Sequence, residues 1–177
     1  MAFKLSRDTY NAQTERILLT NGITVNVGDV IVPVSGATNT ATNATASVTG
    51  DVYVLGVVQG FSKANGEVIG QGQNPSVTPN QLTTSATNTT VEQYYAVYMP
   101  IHKEQVWEAD FSAAIGTTAP GTVMTWYNLS DARTVNESSE VDITAASAPL
   151  QVLYVQAHPT STTKGFVRFG KCLYARP

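Results

Sequence analysis

The sequence predicts an all-β protein: a single β-barrel or β-sandwich domain with long polar loops and an N-terminal arm. Three observations carry that expectation. Short runs rich in Val, Ile, Tyr, Phe and Thr recur along the chain, Gly, Pro and Asn corners separate them, and no stretch of helical apolar spacing reaches convincing length. A chain of 177 residues can bury roughly two-thirds of the surface its unfolded form exposes, so neither a disulfide nor a metal is required to hold it. The arm is placed at residues 1–15 and the β domain at 16–177.

Ala2 to Glu15 are weakly patterned. Ser6 could cap a short helix, but an extended arm accounts for the same residues and is preferred. Next comes RILLT, Asn21-Gly22 and ITVNV, where Asn-Gly between two β-prone runs predicts a hairpin. Gly28-Asp29 turns the chain into VIVPV, and Pro33, which cannot donate to a ladder, puts that strand at an edge or ends it. Ser35 to Gly50 is a low-complexity surface loop or polar strand.

Asp51 to Phe61, DVYVLGVVQGF, is the longest β-like run. Val52, Val54 and Val58 would share one face and Tyr53, Leu55, Val57 and Phe61 the other, so both faces need cover. Gly56 and Gly60 suggest bulges or close backbone approach. A turn at Gly66 leads to a short run over Glu67 to Ile69, then a long polar loop from Gly70 to Thr90.

Gln93 to Phe111 is the chain's densest aromatic and charged stretch, and reads as strand, corner, strand. In its second half, period-two alternation sets Trp107, Ala109 and Phe111 on one face and Val106, Glu108 and Asp110 on the other. The remaining strands are expected within Thr122 to Leu129, Leu150 to Val155 and GFVRFGKCLY. Ser130 to Ala148 carries a short strand at best.

Only 13% of residues are charged, against about 25% in an ordinary globular domain. With a net charge of −3 and no Lys/Arg cluster, neither nucleic acid nor an anionic membrane is the expected partner. The first residues lack the apolar core of a signal peptide, so synthesis in the cytoplasm without Sec export is expected. The single cysteine, Cys172, sits in an apolar strand pattern and reads as a buried thiol.

Glu108 and Asp110 would stand about 7 Å apart on one strand face, a spacing that inverting glycosidases use and that any strand with two solvent-facing acids also produces. No motif places substrate-binding groups around them, and the solvated face is the preferred reading. His102, His158 and Cys172 lack the signature of a nucleophilic or metal site and read as two loop histidines and a buried thiol. No nucleotide-binding or calcium-binding motif occurs, so no enzyme activity, cofactor or metal is expected. Tyr94, Tyr95, Trp107, Trp126 and Tyr127 would suit a carbohydrate-binding or adhesive module if exposed, and core and interface roles if not.

The order of short phrases adds a resemblance. VYVLGVVQGF at Val52 to Phe61, YYAVYMP and VWEAD in the middle, APLQVLYV at Ala148 to Val155 and the closing GFVRFGKCLY resemble, over Gly28 to Leu173, the decoration (auxiliary capsid) proteins of tailed-bacteriophage heads. Trp107 and Glu108 depart from that pattern and carry no transferable role. The resemblance implies a homo-oligomer, a trimer by preference, bound to the major capsid protein on the outside of the virion. Its arm and the edge beside it would dock through Phe3, Leu5, Arg7, Tyr10 and Ile17.

Overall fold

The computed structural model describes residues 3–7, 13–34, 39–44, 53–69, 81–84, 93–115, 126–141 and 152–170. These are strands and their connections, with no helix among them. The single domain expected from the sequence is instead two small closed five-stranded barrels. The first is built from β2 (Glu15–Leu19), β4 (Val30–Pro33), β5 (Thr40–Asn43), β6 (Gly56–Lys63) and β9 (Tyr94–Pro100). The second uses β10 (Val106–Phe111), β11 (Trp126–Leu129), β12 (Thr134–Val141), β13 (Val152–Ala157) and β14 (Lys164–Phe169). β1 (Lys4–Arg7) adds to β10, β7 (Val68–Ile69) adds to β6, and β3 (Thr24–Asn26) pairs with β8 (Gln81–Thr83).

The two barrels are one motif used twice. Around the first the strands run β2-β5-β4-β6-β9, and around the second β10-β12-β11-β13-β14. In each barrel, counted in chain order, the first strand lies parallel to the third and antiparallel to the fifth. The register repeats as well. Leu19 faces Ala41 as Phe111 faces Val135, Ile31 faces Gly56 as Tyr127 faces Val152, and Glu15 faces Tyr98 as Trp107 faces Val167. Even the irregularity recurs. A bulge at Gln59 interrupts β6 against β9, and a bulge at Val155 interrupts β13 at the equivalent step against β14.

Inside the first barrel Leu19, Ile31, Ala41, Val58, Phe61, Ala96 and Tyr98 form one core, extended by Val25 and Leu82 of the β3–β8 pair. The second core holds Trp107, Ala109, Phe111, Tyr127, Leu129, Val135, Val167 and Phe169, with Val30, Val32, Val54 and Val57 of the first barrel in the same cluster. The run around β6 therefore does need cover on both faces, and its own chain supplies it. The split differs from strict alternation: Val54 and Val57 serve one core, while Leu55, Val58 and Phe61 serve the other. The bulge at Gln59 shifts the parity, which is why Val58 and Phe61 share a side.

Other local expectations change for similar reasons. Asn21-Gly22 does turn, with Gly22 at φ 67°, but no hairpin forms. β2 pairs with β9 and β5, and β3 pairs with β8. Barrel closure takes both edges of β2, so turn chemistry alone does not decide its partner. Within Ser35 to Gly50 the chain forms β5, a polar strand whose Ala41 is fully buried. Residues 134–141 form the eight-residue strand β12 rather than a short one.

The turn entering β4 ties the barrels together. Gly28 takes φ 87°, a left-handed conformation suited to glycine, and its carbonyl accepts from Phe3 N, while Val30 N donates to Ala132 O. Asp29 beside it is buried. Its Oδ2 accepts from Asn26 N at 2.7 Å and Asn26 Nδ2 at 3.1 Å, and its Oδ1 from Arg133 Nε of the second barrel. Asp29→Ala removes the acceptor for all three donors and is expected to lower stability by about 3 kcal/mol in urea denaturation, with Asp29→Asn costing less because one acceptor survives.

Candidate site on the outer face of the second barrel

β10 is where the chain's charge, its first strand and the sequence-predicted acids meet. Trp107, Ala109 and Phe111 point inward as alternation predicts, and Glu108 and Asp110 point outward. One edge of β10 pairs with β14. The other is shared, β1 taking Val106 to Glu108 and β12 taking Asp110 and Phe111. β1 can lie there because β12 leaves the first half of that edge open.

The two acids converge on one lysine. Lys164 of β14 stands across from Asp110, donates Nζ to Glu108 Oε1 at 2.9 Å and lies 3.7 Å from Asp110 Oδ1. The hydrogen bond from Lys164 holds the Glu108 carboxyl below its ordinary value of 4.5, against the opposing push of burial. The same bond raises Lys164 above 10.5. A general acid needs its pKa raised, so the shift runs the wrong way for that chemistry. The triad is a clamp between β10 and β14.

Its pH dependence follows from those directions. Glu108, lowered on folding, contributes stability that is present above about pH 4.5 and is lost as pH falls through its folded value. Lys164, raised on folding, contributes stability that is present below about pH 10.5 and is lost as pH rises through its folded value. Lys164→Met is expected to cost about 1 kcal/mol near neutrality. The gap from the unsubstituted protein should close at both extremes when thermal unfolding is followed from pH 3 to 11.

The sequence-predicted docking residues separate. Within the expected arm, residues 4–7 form β1 on the second barrel. Phe3 is 3% exposed with its ring 5.2 Å from Phe169, so its side chain anchors β1 and is not presented to a partner. Leu5 is half-buried against the same core, and Ile17 packs on the core of the first barrel. Arg7 is exposed. Tyr10 lies outside the described residues, as do Cys172 and the side chain of Trp126.

The aromatic candidates are largely internal. Trp107 and Tyr127 are buried, and Tyr94 and Tyr95 are half-buried, with the Arg16 guanidinium 4.9 Å from the Tyr95 ring centre. His102 closes the corner between β9 and β10. Its backbone N–H donates to the side-chain oxygen of the buried Gln105 at 2.9 Å, and Gln105 N returns a bond to His102 O. His158 stacks on Phe166 at 5.7 Å. No cluster of three or more metal-ligating side chains occurs among the described residues.

Sequence reasoning missed the ion pairs of Lys164 and Arg168. The signal was present in KGFVRF, whose alternation sets Lys164, Phe166 and Arg168 on the face opposite Gly165, Val167 and Phe169. Which acids that face would meet depended on the pairing of β10 with β14. Comparison of the chain with protein-family models, with curated proteins and with solved structures found no match.

Proposed function

We propose that this chain is a virion structural protein that binds the outer surface of an assembled phage capsid and stabilises it. What supports the reading is the ordered series of strand phrases, from VYVLGVVQGF to GFVRFGKCLY, which resembles that of head-decoration proteins. Those phrases include β9 and overlap β6, β10, β13 and β14, so both barrels hold strands of the series. In this reading the partner is the major capsid protein, and the chain acts as a homo-oligomer, a trimer by preference, on the capsid exterior. A ligand that binds only the assembled, expanded lattice stabilises that lattice by mass action.

β1 supplies a means of attachment. Among the described residues it pairs on one side only, and Lys4, Ser6 and Arg7 are exposed along it. An open strand edge offers main-chain hydrogen bonds to a neighbouring chain. Purified protein titrated onto expanded, undecorated capsids of the encoding virus is expected to bind saturably at a fixed ratio to the capsid protein. Absence of saturable binding would overturn the proposal.

A further inference from the structure

A pocket of about 320 Å³ lies on the outer face of the second barrel, between β1, β10, β13 and β14. We propose that it is a carboxylate site, taking the side chain of a glutamate or aspartate from an extended acidic segment of a partner protein. Its chemistry follows from three features.

The first is register. Arg7 of β1 stands opposite Val106 of β10, and Trp107 stands opposite Val167 of β14. Continuing that antiparallel pairing by one step brings Arg168 to Val106, so Arg7 and Arg168 flank Val106 on one outward row, with Cα atoms roughly 10 Å apart at two strand spacings. Val106 is buried although it points outward, and the three residues line the pocket together.

The second is the pair of bulges. One falls at Ser6, between the Leu5–Trp107 and Arg7–Val106 pairs, and turns Arg7 onto the outer face. The other falls at Val155 and sets Gln156 opposite Phe166. Both bulged residues line the pocket, and re-aiming a side chain beside a site is what bulges do. The first barrel has the equivalent bulge at Gln59 but carries Met99 where the second has Arg168. The basic pocket is therefore particular to the second barrel and β1.

The third is unspent donor capacity. Arg168 gives Nη1 to Glu104 Oε2 at 3.1 Å, while its buried Nε has no acceptor. Arg7 has no carboxylate or other acceptor among the described residues. Of the two guanidinium groups only that of Arg168 is paired with a carboxylate, leaving a net positive charge in a recess that also offers Ser6, the Gln156 amide and the Phe166 ring. A carboxylate on a short hydrocarbon stem matches that mixture of donors and apolar wall better than a bare inorganic anion.

Only the identity of the partner rests on the capsid reading; the pocket's chemistry does not. The test is an amide-detected NMR titration of the full chain with a blocked peptide, acetyl-Ala-Glu-Ala-amide, alongside its Gln counterpart and inorganic phosphate. The Glu peptide should shift Ser6, Arg7, Gln156 and Arg168 saturably, more strongly at low salt, and the Gln peptide should not. Arg7→Gln, on an exposed strand position, should weaken binding about tenfold, and Glu104→Gln, which frees Arg168, should tighten it several-fold. No shifts at these residues, or phosphate binding as tightly as the Glu peptide at the same residues, overturns the carboxylate assignment. If the peptide binds and capsids do not, the pocket stands and the capsid reading falls. If capsids bind Arg7→Gln and Arg168→Gln as well as the unsubstituted protein, the capsid reading stands and this pocket is not its contact.

Discussion

Trp107→Ala is expected to destabilise the protein by about 4 kcal/mol, the range for truncating a fully buried large aromatic. Trp107 is 0% exposed and meets Phe169 edge-on at 6.4 Å, and Phe169 in turn packs on Phe3. Its backbone pairs with Leu5 on one side and Val167 on the other. The cavity would therefore open beneath β1 and between β10 and β14 together. Trp107→Phe should cost much less than its lost area suggests, because the indole Nε1 is buried without an acceptor and the substitution removes that unmet donor. Urea denaturation gives both magnitudes, and amide exchange should show β1 losing protection first in the alanine variant.

The second large effect contrasts two glycines of one strand. A Cβ on Gly56 would lie 2.3 Å from the Met99 carbonyl oxygen and 2.4 Å from a ring carbon of Tyr98. The first of these is backbone and cannot swing aside, so Gly56→Ala must push β6 away from β9, the pair that closes the first barrel. A loss of roughly 3 kcal/mol is expected, at the upper end for overpacking. Four residues on, a Cβ at Gly60 would meet nothing within 4 Å. Gly60→Ala should be neutral or stabilise by about 0.5 kcal/mol through the lower entropy of the unfolded chain. Equal losses at the two sites in chemical denaturation would contradict this account.

Both glycines stood out in the sequence, which could not separate them. Bulge and close approach leave the same mark, a small residue in an apolar strand, and only the partner strand distinguishes them. The same limit applies more widely. Most strand positions, the corners at Gly28 and Gly66 and the inward face of β10 were legible because each depends on a few neighbouring residues, whereas β8 lies inside the expected Gly70 to Thr90 loop and β1 inside the expected arm, both formed by pairing with distant strands. The repeat of the barrel was not, because an inward position asks only for a side chain of suitable bulk. Leu19 and Phe111, Ala41 and Val135, and Ala96 and Gly165 hold equivalent places without being alike. β12 was underestimated because TVNESSEV has little apolar alternation, and the neighbours β10 and β11 define it as a strand. The basic pocket was hidden for a further reason. Ser6 and Val155 look ordinary in sequence, and only their register against β10 and β14 shows that they are bulged.

The placement of β1 also sets an order of assembly. Every strand of the first barrel lies within residues 15–100, so that barrel can close before β10 has been translated. Lys4 to Arg7 cannot pair until Val106 to Glu108 leave the ribosome, and Phe3 does not meet Phe169 until β14 has been made. The earliest strand in the sequence is therefore among the last to find its place. Until it does, a nascent chain carries the apolar Phe3 ring and an unpaired segment ahead of the closed first barrel.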